Sequence, residues 1–202
     1  MFSEYEVSVF LKLPTVNEAV VSIKKDFLEK EAPFLEISDH DFLSLILMSP
    51  AISIANANDN ISLFEEIALN KMARKMSKGG YFLKADPVAG AMKYYIKNIR
   101  YWEDLFLDVI NVLIAANVDL EQLDKNSEEE QLTIDSFAQI VMTIPYVIVR
   151  FFSSFFLQGE VEIVEGHTIS KTEYQRVLDL GVKLKFNNLK VFNAFCHTFT
   201  VK

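Results

Sequence analysis

The sequence predicts a mainly α-helical single domain, and three observations carry that reading. Helix start signals recur along the chain, an apolar stripe repeats at heptad spacing over residues 88–113, and the composition leaves little room for long irregular connections. Half of the 202 residues are apolar, with 17 Phe and 7 Tyr against 6 Gly and 5 Pro. A chain of this size buries a sizeable core without a disulfide or a structural metal. The predicted architecture is a helical bundle over residues 1–202, built as two related helix-loop-helix halves around a long central helix, with short terminal β-strands added.

Taken in order, residues 4–13 alternate, with Tyr5, Val7, Val9, Leu11 and Leu13 on one side, which predicts a short strand stopped by Pro14. Thr15-Val-Asn-Glu18 is a capping box that opens a helix towards Pro33, with Val16, Val20, Ile23 and Phe27 on its inner face. Ser38-Asp-His-Asp41 opens the next helix, over residues 42–55, with Pro50 as its kink point. Ser62-Leu-Phe-Glu65 caps a third, which should end near Gly79-Gly80. Asp86-Pro87 then gives an N-cap followed by proline at the first helical position.

From there Val88, Met92, Tyr95, Ile99, Trp102, Phe106, Val109 and Leu113 step by alternating fours and threes. A helix over residues 87–116 would be about 45 Å long at 1.5 Å per residue. Packing within a bundle is the preferred account of this stripe over an intermolecular coiled coil. Residues 137–157 carry Arg150 as their sole formal charge and are long enough to span a bilayer. Arg150 inside the run, Pro145, Ser153-Ser154 and acidic flanks instead predict a buried helix of a soluble protein. The carboxyl end stays open between a hairpin and a continued helix after Ser170. A terminal strand over Phe195, His197, Phe199 and Val201, pairing with residues 4–13, stands beside a terminal helix.

A partial internal repeat runs through these elements. Ser38-x-x-Asp41-Phe42 with Pro50 matches Thr133-x-x-Ser136-Phe137 with Pro145, and Ile61-Ser62-x-x-Glu65 matches Ile169-Ser170-x-x-Glu173. Residues 38–80 and 133–186 are therefore expected to be copies of one unit.

Charge and cysteine usage narrow the function classes. The net charge of -8 argues against general nucleic-acid affinity. Yet residues 71–100 hold eight basic side chains against Asp86 alone, a local +7 that leaves -15 for the remainder. Residues 119–135 are the densest acidic stretch. The basic segment predicts either a solvated face paired with that acidic stretch of the same chain, the preferred account, or a partner-binding face carried by Arg74, Lys75, Lys78, Lys93, Lys97 and Arg100 and directed at an acidic protein surface or at a second copy. Peripheral membrane association is compatible with it. One cysteine and an amino-terminal stretch without a basic start point to a reducing cytoplasm.

The chemistry-bearing candidates are few. In residues 54–65, an EF-hand-like register places Asn56 and Asn58 third and fifth, Asp59 at the turn position, Ile61 eighth and Glu65 twelfth. Asn56, Asn58, Asp59 and Glu65 are thus candidate ligands for calcium or another divalent cation, although the same residue types form turns and caps without an ion. Ile54 stands first where such a loop has an acid. The three histidines are dispersed, Cys196-His197 reads as packing, and no phosphate loop, nucleophile elbow or dinucleotide fingerprint is present.

The segment Ala57-Asn58-Asp59-Asn60-Ile61-Ser-Leu-Phe-Glu65 resembles the tellurite-resistance TerB-like family, whose helical unit carries an Ala-Asp-Gly-x-Ile-x-x-x-Glu type signature. Glu165-Gly166-His167-Thr168-Ile169-Ser-Lys-Thr-Glu173 is similar, with one extra residue. The resemblance implies metal binding at the acidic positions, and action in stress response and protein association near the inner membrane. Here Asn58 replaces the acid and Asp59 the glycine. The expectation is a non-enzymatic cytoplasmic adaptor or stress-response module without a cofactor. An ion-responsive protein, and an enzyme whose site is assembled from scattered residues, are the competing classes.

Overall fold

The computed structural model describes residues 2–78, 85–125, 139–155 and 167–202, which fold as a mainly helical bundle. The helices are α1 (Glu4–Phe10), α2 (Pro14–Glu31), α3 (Asp39–Ala55), α4 (Leu63–Met76), α5 (Pro87–Lys97), α6 (Ile99–Asn117), α7 (Leu120–Lys125), α8 (Tyr146–Ser154), α9 (Lys171–Lys183) and α10 (Lys190–His197). Strands β1 (His167–Ile169) and β2 (Phe199–Val201) pair in parallel, His167 opposite Phe199. Parallel neighbours need a crossover, and α9 with α10 supplies it.

The centre of the bundle is α3. Every residue from His40 to Ala55 is buried, and α1, α2, α4, α5, α6, α8 and α9 all pack against it. A helix that is apolar on all sides can only be stable inside others. The long central helix expected over residues 87–116 is instead two helices, and neither is the axis of the fold. The chain breaks at Asn98 (φ -125°, ψ 35°), whose Nδ2 donates to Glu31 Oε2 at 2.5 Å while Trp102 Nε1 donates to Glu31 Oε1 at 2.9 Å. The heptad stripe survives the break, since all eight of its residues are buried. Tyr95 stacks on Phe106 with ring centroids 4.7 Å apart, and Phe27 meets Trp102 at 5.0 Å, so the stripe builds an aromatic core with α2.

Residues 4–13 do not form the expected strand. Ser3 and Glu6 make a reciprocal capping box, and Val7 and Phe10 turn inward at helical spacing while Tyr5 and Val9 face solvent. The carboxyl-terminal strand is present, but its partner is β1, and the residues before it form α9 and α10. Helix α2 starts earlier than Thr15 and Glu18 suggested, with Pro14 at the first position and no side-chain cap at Leu13. Helix α3 runs continuously through Pro50.

Residues 137–157 are not one helix. A turn over residues 142–145 precedes α8, which begins after Pro145, and residues 137, 138, 156 and 157 lie outside the described residues. No helix among the described residues is long and apolar enough to cross a membrane. Arg150 is held by Glu6, with Nη2 to Oε2 at 2.7 Å and Nε to Oε1 at 3.0 Å, which ties α8 to α1. Phe152 of α8 stacks on Phe195 at 4.9 Å and meets Phe186 at 5.6 Å, so a second aromatic cluster joins α8 to the carboxyl-terminal helices.

The Glu6–Arg150 pair makes one pH-dependent prediction. Burial alone would raise the Glu6 carboxyl, but hydrogen bonds from Arg150 and Ser3 outweigh it and hold the group below its ordinary value. A depressed folded value contributes stability above the unfolded value and loses it as pH falls through the folded one. The stability gap between the native chain and Arg150→Gln should therefore be widest near neutrality and close in acid. Urea titrations at a series of pH values check this, and a gap unchanged down to acid pH would show that Arg150 contributes packing alone.

The two Ile-Ser-x-x-Glu segments resemble each other in their caps. Ser62 with Glu65 and Ser170 with Glu173 form complete capping boxes. The prolines play unlike parts, because Pro50 lies within α3 while Pro145 precedes α8. Ser170 follows a strand, Ser62 a turn after α3. Thr133, Ser136 and Phe137 lie outside the described residues.

Candidate interaction surface

Helix α4 buries Leu69, Met72, Ala73 and Met76 against its neighbours, above all α3 and α5. At 100° per residue these four centre on one side, which turns Leu63, Phe64, Ile67, Lys71, Arg74 and Lys75 to the other. The exposures agree: Leu63 is 69%, Phe64 84% and Ile67 58% accessible, and all three basic residues are exposed. Three large apolar side chains in one short surface stretch are unusual beside the scattered single ones expected on any protein. The outer face of α4 is thus apolar at its amino end and cationic at its carboxyl end.

Side-chain bonds fix this helix and its neighbour. Ser62 N and Oγ donate to Glu65 Oε2 at 2.7 and 2.5 Å, closing the amino end. At the other end Lys78 N donates to Asp41 Oδ1 at 2.8 Å, anchoring the chain to α3. Ser77 Oγ donates to Asp86 Oδ2 at 2.8 Å, and Asp86 Oδ1 accepts from Val88 N at 2.8 Å and Ala89 N at 3.2 Å. One aspartate therefore joins the end of α4 to the start of α5. Lys93 and Lys97 of α5 and Arg100 of α6 are exposed and extend the basic surface.

Among the described residues, acids do little to neutralise these cations. Arg100 reaches Asp59 at 3.7 Å, a contact between two exposed groups that water and salt weaken. No ion pair joins Arg74, Lys75, Lys78, Lys93 or Lys97 to a carboxylate among the described residues. The acidic stretch enters the described residues as Asp119 and α7, while residues 126–135 lie outside them. Asp119 Oδ1 accepts from Glu121 N and Gln122 N, starting α7.

The candidate cation ligands occupy different local roles. Ile54, first in the loop register, is buried inside α3, and Asn56 is the residue that ends that helix. Asn58 is exposed, and Asp59 adopts the left-handed backbone (φ 54°) that the turn position of such a loop requires. Glu65 turns back to Ser62, so a cation would have to draw it out of the cap. No cluster of three or more His, Cys, Asp or Glu side chains suited to a metal occurs among the described residues. Cys196 is buried, and burial pushes its thiol up to about 12, away from nucleophilic chemistry at neutral pH.

A polar cluster in the core escaped the sequence reading. Glu103 of α6 is 3% accessible, and its Oε1 accepts from Ser53 Oγ of α3 and from Arg176 of α9. Its Oε2 accepts from Lys183 Nζ at 2.8 Å, and Lys183 also donates to Asp104 Oδ1 at 2.6 Å. Nearby, the buried Tyr95 hydroxyl faces Ser49 Oγ without a well-formed hydrogen bond. Burial, with the Glu103 charge added, holds the Tyr95 phenol well above its ordinary value and hence neutral. The cluster clamps α9 to α3 and α6.

Comparison with known proteins returns nothing on which to lean: no family model, no curated protein and no solved structure matches this chain.

Proposed function

We propose that this chain is a non-enzymatic binding module whose α4–α5 surface receives an acidic protein partner. The observation that supports it is the row of exposed cations, Arg74, Lys75, Lys78, Lys93 and Lys97, without carboxylate partners among the described residues of an otherwise acidic chain. Uncompensated charge of one sign on a rigid helical platform steers partners of the opposite sign and speeds encounter. Both copies of Ile-Ser-x-x-Glu, on which the TerB-like resemblance rests, are capping boxes, so the binding role draws its support from the surface instead. A cytoplasmic adaptor or stress-response setting belongs to the same proposal.

The triple substitution Arg74→Glu, Lys75→Glu, Lys78→Glu tests this with poly-glutamate as the probe, because all three side chains are exposed and their reversal should leave the core intact. The native chain should bind the probe at about 50 mM salt and release it progressively as screening shortens towards about 8 Å at physiological strength. The variant should lose most of that binding while keeping the native melting temperature. Salt-independent binding that survives the substitutions would overturn the reading.

A further inference from the structure

The outer face of α4 is divided end to end, and that division selects among occupants. Ile67 and Lys71 lie one turn apart on nearly the same side, and Phe64 and Arg74 flank them, so apolar and basic side chains succeed one another along the helix instead of lying side by side. A helix lying in a membrane interface carries its apolar stripe along its whole length with cations at both margins. Here the apolar surface stops after Ile67. A flat lipid surface would meet Phe64 at one end and require Arg74 and Lys75 at the same depth.

The same face of a second copy fits no better. Antiparallel pairing of two such faces sets Leu63 and Phe64 against the basic turns of the partner, and parallel pairing sets cations against cations. In neither arrangement does the outer face itself, Leu63, Phe64, Ile67, Lys71, Arg74 and Lys75, offer a carboxylate to Arg74 or Lys75. What complements both ends is a linear segment that is apolar where α4 is apolar and acidic where it is basic.

We propose that this face binds an amphipathic acidic segment of another protein, with its apolar residues seated on Leu63, Phe64 and Ile67 and its carboxylates set against Lys71, Arg74 and Lys75. The inference rests on the acidic-partner reading and adds the partner's pattern. Ile67 and Arg74 are about 10 Å apart along the axis at 1.5 Å per residue. The partner's apolar and acidic groups are then about seven residues apart if it is helical, or about three if it is extended. Apolar contact excludes water and supplies affinity, while the charges fix the direction in which the segment lies.

The test is selection of random peptides of about 16 residues, long enough to span some 24 Å as a helix, on the full chain and in parallel on Phe64→Ser and on the pair Arg74→Glu, Lys75→Glu. Selected peptides are then synthesised and titrated by fluorescence anisotropy. The expected result is enrichment of sequences that carry an apolar group and an acidic group at one of those two spacings. Phe64→Ser and the charge pair should each weaken their binding by about tenfold or more. Acidic peptides without an apolar group, indifferent to Phe64→Ser, would overturn this inference and leave the acidic-partner reading standing. Peptides without acids, indifferent to the charge pair, would overturn both. Failure to enrich any sequence overturns the inference, as does co-sedimentation of the chain with phosphatidylserine vesicles that Phe64→Ser abolishes, which would assign the face to lipid.

Discussion

Replacing Glu103 by Ala should destabilise the fold by about 3 kcal/mol, the scale on which breaking a buried ion pair leaves opposite charges without a partner. The carboxylate is almost fully buried and receives Ser53, Arg176 and Lys183 from two other helices. Once it is gone, Arg176 and Lys183 keep two positive charges beside the core. Both are partly exposed, so water reclaims some of the loss, which places the effect at the lower end of the usual range. Asp104 is the internal control. It contacts the same Lys183 but is largely exposed, so Asp104→Ala should cost under about 1 kcal/mol. Urea denaturation of the two variants makes the comparison, and equal losses would show that the cluster is solvated and clamps nothing.

Gly181→Ala should also destabilise, although a helix interior ordinarily favours alanine by about 1 kcal/mol. Gly181 lies in α9 under the Phe192 ring, and a Cβ there would sit 2.2 Å from Phe192 Cζ and 2.3 Å from Cε1. The ring cannot easily retreat. Phe152, Phe186 and Phe195 stand around it at centroid distances of 5.9, 6.2 and 6.3 Å. Overpacking of this kind costs about 1 to 3 kcal/mol and sometimes more, so against a ring that cannot retreat the clash outweighs the propensity gain by up to about 2 kcal/mol. Phe192→Leu should cost stability in the native background but restore part of it in the Gly181→Ala background, a coupling that a double-mutant cycle measures. A higher melting temperature for Gly181→Ala alone would refute the close approach of α9 and α10.

Local signals were legible at several helix starts, though not at α2, where Thr15 and Glu18 form no cap. Ser62 with Glu65, Ser170 with Glu173 and Asp86 before Pro87 all cap the helices that their spacing announced, because a cap joins residues within one turn. The heptad stripe named eight core residues correctly for the same reason: its spacing specifies a face. Residues 4–13 misled because two members of the alternating apolar set, Tyr5 and Val9, lie in solvent, while the inward pair Val7 and Phe10 follows helical spacing and the deciding Ser3–Glu6 box begins just before them.

Other features belong to the tertiary structure alone. Periodicity marks the buried side of an amphipathic helix and is silent for α3, which is buried on every side, so the true centre of the bundle showed no stripe. The break at Asn98 is held by Glu31, 67 residues away, and the Glu103 cluster draws on residues 50 to 80 positions distant. On α4 the sequence offered apolar residues on two faces and no means of choosing between them. Packing against α3 and α5 chose Leu69, Met72 and Met76, and left Leu63, Phe64 and Ile67 in solvent beside the cations. Which face of a helix is buried depends on what surrounds it, and that is a property of the assembled bundle.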